Sequence, residues 1–148
     1  MRFFCIFARN LMIMTSLYLV RHGETVDNVR QIMQGQTQGQ LTASGVRQAE
    51  HVRDELRDVP FDAILSSDLR RSVDTARIIA GPHRLEVIQT PLLRERDWGG
   101  FTGRYIPDLK GETWPDDIET LENLLSRAGD FIAYVRETFP GKKVLAVG

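Results

Sequence analysis

Four short apolar runs predict β-strands, and longer segments with helical spacing lie between them. The runs are residues 16–20 (SLYLV), 62–65 (DAIL), 85–88 (LEVI) and 143–147 (KVLAV). The first and the last are continuously apolar, which is typical of strands buried on both faces of a sheet. The pattern therefore predicts a sheet in which at least these two strands are covered on both sides.

Two of the intervening segments predict amphipathic helices. Residues 43–58 follow Thr42, which is a suitable N-cap, and a second helix begins after Ser67 or Asp68 and ends at Ala80. The apolar positions that predict their buried faces are Ala49, Val52, Leu56 and Val59 in the first helix, and Leu69, Val73, Ala76 and Ala80 in the second.

A third helix is predicted over residues 118–138 by apolar residues at alternating steps of three and four. They are Ile118, Leu121, Leu125, Ala128, Ile132, Val135 and Phe139. A coiled coil has a similar stripe, but between strands the stripe favours a face packed on the core. Because strands and helices alternate, the sequence predicts a three-layer α/β/α sandwich with a mainly parallel sheet.

Composition excludes several classes of function but adds little to the predicted fold. A chain of 148 residues is long enough for one domain with a real core. Its net charge of −1 argues against partners held by charge, so neither nucleic acid nor a membrane is expected. The single Cys excludes an internal disulfide and a Cys-rich metal site, and we expect no metal and no cofactor. Sixteen of the 19 cations are Arg, the side chain suited to bidentate phosphate binding.

The pattern of the first fifteen residues does not predict a part of the domain, which we place at residues 16–148. Arg9 and Asn10 split them into two apolar runs, each far shorter than the roughly 20 residues of a membrane helix. Further Met residues at positions 12 and 14 indicate an over-extended reading frame, and a cryptic signal sequence or a genuine arm are the alternatives. Cys5 lies in this segment and is given no role. We expect a cytoplasmic protein.

The most informative motif directly follows the first predicted strand. It reads Arg21-His22-Gly23-Glu24-Thr25, with Asn28 three residues later. Ligands in open α/β sheets bind beyond the carboxyl ends of the strands, where this motif lies. Arg21 offers a planar set of donors for phosphate oxygens, and neutral His22 is a nitrogen nucleophile. Gly23 is expected to let a substrate approach the backbone.

These residues carry a resemblance to a known family. Residues 19–25 (LVRHGET) resemble the signature of the histidine phosphatase superfamily, which contains the cofactor-dependent phosphoglycerate mutases. Three more segments resemble family motifs in the family's order: 41–49 (LTASGVRQA), 66–76 (SSDLRRSVDTA) and 93–99 (LRERDWG). The resemblance covers residues 16–148 and implies a phosphoglycerate mutase-like fold.

The resemblance also implies a role for each matching residue. His22 is implied as the nucleophile that becomes a phosphohistidine, and Arg21 and Arg71 as clamps on its phosphoryl oxygens. Asn28 is implied as a neutral phosphate donor. Glu95 is implied as the general acid and then the general base. The implied catalytic set is His22, Glu95, Arg21 and Arg71, and the substrate-binding set adds Gly23, Glu24, Thr25 and Asn28.

Two of these assignments have alternatives in the sequence itself. The family pattern selects Arg71, whereas the adjacent Arg70 is expected to be solvated. The role of Glu95 requires a pKa raised by burial, and without the resemblance the residues themselves favour a surface salt bridge with Arg94 or Arg96.

Two further histidines, His51 and His83, have no motif around them and are expected to be solvated.

The chain departs from the family pattern at its last residues. Family members carry a second catalytic His after the last strand, whereas this sequence reads Val144-Leu145-Ala146-Val147-Gly148. We therefore expect a C-terminally incomplete domain, with little activity from the 148-residue chain alone. A protein that binds phosphate without turnover is the alternative.

The predicted function is hydrolysis of a small phosphate ester, a sugar phosphate or a similar metabolite, through a phosphohistidine. A cofactor-dependent phosphoglycerate mutase is the alternative, although the short segment 96–117 favours a phosphatase. Residues 31–40 and 98–114 are expected to form the pocket rim, with aromatic residues that either contact substrate or anchor the loops. The sequence leaves the substrate and the oligomeric state open.

Overall fold

A four-stranded parallel sheet organises the chain in the computed structural model, which describes residues 14–148. The strands are β1 (Ser16–Val20), β2 (Ala63–Ser67), β3 (Val87–Thr90) and β4 (Lys143–Val147), in the spatial order β1-β4-β2-β3. The helices are α1 (Val26–Val29), α2 (Ala43–Leu56), α3 (Arg70–Ala80) and α4 (Leu121–Thr138). Residues 1–13, the greater part of the expected N-terminal extension, lie outside the described residues.

Helices cover both faces of the sheet, which confirms the predicted three-layer α/β/α sandwich. On one face Ile64 and Leu145 pack with Ala76 and Ile79 of α3, and α2 adds Val52 and Leu56. On the other face the core consists of Ala63, Leu65, Val144 and Ala146 with Phe131 and Val135 of α4. Successive residues of β2 and β4 thus point to opposite cores, as the strand period of two requires.

The two helices on the first face begin in different ways. Thr42 caps α2 as predicted, since its hydroxyl accepts a hydrogen bond from the amide of Gly45 at 3.0 Å. The predicted cap of α3 by Ser67 or Asp68 is wrong. Instead, the amides of Arg70 and Arg71 donate to the side chain and the carbonyl of Gln38, so a distant loop satisfies the first turn.

Three other expectations from the apolar pattern need correction. β1 is an edge strand of the described sheet, with Leu19 70% exposed, so it is not buried on both faces, whereas β4 is. β3 begins at Val87, two residues late, because the preceding helical turn ends at Arg84 in a left-handed conformation. α4 begins at Leu121 with Thr120 as its cap, which leaves Ile118 in the loop before it.

The buried face of α4 is rotated from the predicted stripe. Phe131 and Val135 are buried, but Leu121, Leu125 and Ile132 are more than half exposed. Arg127 lies on the inward side, one turn before Phe131, and is bound to carbonyl groups of another segment. Among the described residues, no helix is both long enough and apolar enough to cross a membrane.

Candidate active site

Residues 21–23 (Arg-His-Gly, the RHG motif) lie at the carboxyl ends of β1 and β4, where ligands bind in open α/β sheets. The amide of Gly148 donates to the carbonyl of Val20 at 3.0 Å, and the amide of His22 donates to the carbonyl of Gly148 at 2.9 Å. Hydrogen bonds between the ends of the two strands therefore fix the backbone of His22.

Gly23 and Gly45 have no side chains, which lets the backbone of the first turn of α2 lie in direct contact with the backbone of this loop. A Cβ atom on Gly23 would lie 2.4 Å from the carbonyl oxygen of Gly45, and one on Gly45 would lie 2.1 Å from that of Glu24. The absent side chain of Gly23 thus admits the first turn of α2, which corrects the expectation that it opens the backbone to substrate. The amide of Gly23 also donates to the hydroxyl of buried Thr75 at 3.1 Å.

The ring of His22 is held in one orientation and one tautomer. Nδ1 lies 2.8 Å from the carbonyl oxygen of Gly23, which can only accept, so Nδ1 carries the proton. Nε2 is then unprotonated and accepts a hydrogen bond from Nε of Arg71 at 3.1 Å. Burial lowers the pKa of His22, and the charges of Arg71 and Arg21 lower it further, against the raising effects of the Gly23 carbonyl and Glu95. A neutral imidazole with an unprotonated Nε2 is the form that attacks an electrophile, once the hydrogen bond from Arg71 is given up.

Arg71 is buried beside this nitrogen and is only 1% exposed. Its Nη1 donates to the carbonyl of Thr37 at 2.6 Å, and its Nη2 donates to that of Gly35 at 2.9 Å. No carboxylate forms a salt bridge with it among residues 14–148. Burial lowers the pKa of Arg71, although a guanidinium stays charged in proteins. A buried cation held only by neutral acceptors is costly, and an anion at the same place would offset that cost.

An open pocket of about 340 Å3 lies beside His22, and Arg71 does not line it. It is lined by Arg21, His22, Glu24, Asn28 and Gln48. Asn28 and Gln48 each use the side-chain oxygen to accept from the backbone amides of Thr25 and Glu24, so neither amide nitrogen is used in those contacts. Two neutral donors, one exposed guanidinium and the carboxylate of Glu24 therefore line the pocket beside the imidazole. A larger surface groove of about 470 Å3 is lined by Arg77 and Arg84 among others, and it contains none of the predicted catalytic or substrate-binding residues.

The remaining residues of the motif support this arrangement. Thr25 is fully buried, caps α1 and donates to Oε1 of Gln34 at 2.8 Å. Oε1 of Glu24 accepts from the hydroxyl of Thr42 at 2.7 Å, which joins the motif to the start of α2.

Glu95 approaches from the loop after β3. Its negative charge raises the pKa of both His22 and Arg71, so the carboxylate acts on the two groups. Its side chain is exposed, so the burial that its expected role required is absent. It also forms no salt bridge with Arg94 or Arg96. Arg94 binds Asp68 through two hydrogen bonds, and the carboxylate of Glu95 accepts from the backbone amide of Arg96 at 2.8 Å.

The two segments expected at the rim are paired with each other. Ile32 and Tyr105 form an antiparallel bridge, and Met33 exchanges backbone hydrogen bonds with Gly103 and Arg104. The same 31–40 loop supplies the two carbonyl groups that hold Arg71. Phe101 is 3% exposed and anchors the loop, whereas Trp114 is 56% exposed and packs edge-on against Trp98 and Phe101. Contact between these aromatic residues and a substrate stays a prediction.

The other predictions for charged side chains had mixed outcomes. Arg70 is exposed and lies 3.4 Å from Asp74, so of the adjacent pair only Arg71 reaches His22. His51 is solvated as predicted, beside Glu55. The prediction for His83 is wrong, because its Nε2 is buried without a hydrogen-bond partner and its ring packs edge-on against Phe61.

Sequence reasoning did not identify several residues that build the site. Gly35 and Thr37 act through backbone carbonyl groups, for which a sequence carries no direct signal. Thr75 and Gln48 lie inside segments that match the family motifs, and their positions could have been singled out there.

Comparison with known proteins gives named relatives of both predicted types. A Bacillus subtilis (strain 168) protein named uncharacterized phosphatase PhoE is 38% identical over 138 residues, 90% of this chain and 71% of that protein. A Proteus mirabilis protein named probable phosphoglycerate mutase GpmB is 47% identical over 103 residues, 68% of this chain and 48% of that protein. The chain thus spans about half the length of this second relative.

Solved structures share the fold. The alpha-ribazole phosphatase from Shigella flexneri superposes with a TM-score of 0.81 at 32% identity, over 89% of this chain and 72% of that chain. The model of the histidine phosphatase superfamily, branch 1, matches residues 17–148. With the RHG loop at the strand tips and Arg71 on the His22 imidazole, the chain belongs to the histidine phosphatase superfamily.

Proposed function

We propose that this protein hydrolyses a small phosphate monoester by transferring its phosphoryl group to Nε2 of His22 and then to water. The observation that carries the proposal is the buried guanidinium of Arg71, hydrogen-bonded to the unprotonated Nε2 and without a carboxylate partner among the described residues. Its position next to the nucleophile is where the phosphoryl oxygens of a substrate would lie.

Binding would begin with the charge of the ester. Arg71 offers its Nε–H to a phosphoryl oxygen once that oxygen replaces the imidazole as acceptor, and Arg21 offers a second guanidinium from the open side. The amide groups of Asn28 and Gln48 add neutral donors. Phosphoryl transfer depends mainly on such positioning and on positive charge around the equatorial oxygens.

The first chemical step forms the bond between Nε2 and phosphorus while the bond between phosphorus and the ester oxygen breaks. The leaving oxygen takes a proton, for which we propose the carboxyl group of Glu95. Because this side chain is exposed, the bound ester, rather than the fold itself, would have to bury the carboxyl group and favour its protonated form. In the second step water attacks the phosphohistidine, gives its proton to Glu95 and releases inorganic phosphate with a neutral imidazole. The Gly23 carbonyl keeps the proton on Nδ1 in the resting state, so Nε2 is regenerated as the nucleophile.

A single-turnover experiment tests this proposal, and it detects the reaction even if the protein turns over slowly. The 148-residue chain in excess over p-nitrophenyl phosphate should release nitrophenolate in one exponential phase. His22→Ala should abolish that phase, whereas His51→Ala, which changes a solvated histidine on α2, should leave it unchanged. Release by His22→Ala at the wild-type rate would overturn the proposal, and absence of release by the wild type would favour a phosphate-binding protein.

A mutase is the second candidate, because the relative named as a phosphoglycerate mutase is 47% identical over 103 residues. A mutase returns the phosphoryl group to a substrate hydroxyl, whereas a phosphatase gives it to water. With 3-phosphoglycerate as substrate, free phosphate in excess over the isomerised ester supports the phosphatase. An excess of isomerised ester supports the mutase.

The substrate class we propose is a small phosphorylated metabolite that is met in the cytoplasm. The pocket at His22 is open and polar, with room for a phosphate group and a few further atoms. Comparing single-turnover rates for a sugar phosphate, a phosphoglycerate and a nucleoside monophosphate would rank these alternatives directly.

A further inference from the structure

Arg127 lies on the inward face of α4, where a helix packed on a sheet normally carries apolar residues. Its side chain is 18% exposed, and it forms an ion pair with Glu119, whose side chain is 13% exposed. Nε and Nη2 donate to the two carboxylate oxygens of Glu119 at 3.0 and 2.8 Å. The ion pair with Arg127 lowers the pKa of Glu119, so the carboxylate stays charged.

The rest of this guanidinium holds the backbone that leads to Glu95. Nη1 donates to the carbonyl groups of Leu92 and Arg94 at 3.0 and 2.6 Å, and Nη2 reaches that of Glu95 at 3.5 Å. A guanidinium has five N–H donors, and these contacts engage all five. Three of them fall on one short stretch of chain, residues 92–95.

Glu119 secures the same segment beyond Glu95. Its carboxylate accepts from the amide of Asp97 at 3.2 Å, and its backbone amide donates to the carbonyl of Asp97 at 2.9 Å. Its carbonyl also accepts from Nε of Arg96 at 2.8 Å. The backbone is therefore fixed on both sides of Glu95, while the carboxyl group of Glu95 stays exposed and accepts one hydrogen bond, from the amide of Arg96.

We infer that Arg127 and Glu119 are positioning residues that set the reach of the Glu95 carboxyl group toward an ester bound at His22. The inference rests on the proposed function, because it gives Arg127 a role only through Glu95. Neither residue is within the RHG motif or the pocket around His22. A displacement of about 1 Å at a catalytic group can cost about 100-fold in rate, so the backbone contacts are sufficient to matter.

The test compares leaving groups, since a purely structural defect would slow all esters alike. An alkyl phosphate needs a proton on its leaving oxygen, whereas p-nitrophenolate leaves with little help. Single-turnover rates of Arg127→Met should fall about 10- to 100-fold with the alkyl ester and less than about threefold with the nitrophenyl ester. Glu95→Gln should show the same pattern more strongly.

A double-mutant cycle shows whether Arg127 acts through Glu95. In the Glu95→Gln background, adding Arg127→Met should cost less than about twofold more, because residues that act as one unit are not additive. Arg53→Met is the matched control, since it removes an Arg–carboxylate contact on the outer side of α2 and should leave both rates unchanged. If Arg127→Met does not fold, Glu119→Gln keeps the size of the side chain and should give the same selectivity for the alkyl ester.

The outcomes separate the two proposals. Equal losses with both esters, or full additivity in the cycle, would overturn the positioning role and leave the phosphohistidine mechanism intact. If Glu95→Gln shows no preference between the esters, the acid role of Glu95 itself fails. If neither ester reacts with the wild type, the proposed hydrolysis fails.

Discussion

Removing the Arg71 guanidinium gives a stability result that depends on whether phosphate is present. In the structure it donates three hydrogen bonds, to Nε2 of His22 and to the carbonyl groups of Thr37 and Gly35. At about 1 to 1.5 kcal/mol each, Arg71→Met loses roughly 3 to 5 kcal/mol of hydrogen bonding. The same change removes the cost of burying a charge without an anionic partner, which is several kcal/mol.

The two terms nearly cancel, so Arg71→Met should change the free energy of unfolding by no more than about 2 kcal/mol in phosphate-free buffer. Phosphate changes the comparison, because the phosphate site that we propose at His22 and Arg71 exists only in the folded state. At a phosphate concentration about 100 times the Kd, the wild type should gain about 2.7 kcal/mol. Arg71→Met should gain almost nothing.

Urea unfolding with and without phosphate, at matched ionic strength in chloride, measures both quantities. Arg70→Met is the control, since Arg70 is exposed beside Asp74 and should keep the full phosphate effect. A loss well above 4 kcal/mol in phosphate-free buffer, together with normal stabilisation of Arg71→Met by phosphate, would refute the reasoning. In that case Arg71 would be a structural cation and the phosphate would bind elsewhere.

Further predictions concern packing and pH. Gly45→Ala places a Cβ 2.1 Å from the carbonyl oxygen of Glu24 and should destabilise by about 1 to 3 kcal/mol in urea unfolding. Gly129→Ala on α4 meets no atom within 4 Å and should stabilise by about 0.5 to 1 kcal/mol; equal effects of the two changes would contradict the packing. Burial lowers the pKa of His83, so its stabilising contribution is fully present above about pH 6.5, the value of the unfolded chain, and is lost as the pH falls below that value through the lower pKa of the folded state. His83→Phe should therefore lose less stability than the wild type between pH 7.5 and pH 5, and an equal loss would refute this account of His83.

The sequence predicted the elements that local patterns control. Thr42 and the stripe of Ala49, Val52 and Leu56 located α2, because a cap and a helical period act within a few residues. The continuous run at β4 likewise indicated a strand buried on both faces. The error at Leu19 has a different origin, since whether an apolar strand is central or at an edge depends on distant pairing partners.

The candidate site also contains residues that a contiguous motif predicts and contacts that depend on distant parts of the chain. The RHG motif and its position after β1 followed from a contiguous sequence, and the family resemblance chose Arg71 over Arg70. What could not be predicted is how Arg71 is held, because its partners are main-chain carbonyl groups more than 30 residues away. Arg127 was missed for a related reason. The predicted stripe on α4 follows Leu121, Leu125 and Ile132, whereas the observed inward face is rotated from it and includes Arg127.

The central claim is that His22 takes the phosphoryl group from the substrate. The direct measurement is to quench the 148-residue chain during its reaction with p-nitrophenyl phosphate under alkaline conditions, digest it, and locate the phosphoryl group by mass spectrometry. We predict an acid-labile phosphoryl group on the peptide that contains His22, absent from His22→Ala and unchanged in His51→Ala. Nitrophenolate release without any phosphorylated peptide, or a label that persists in His22→Ala, would contradict it.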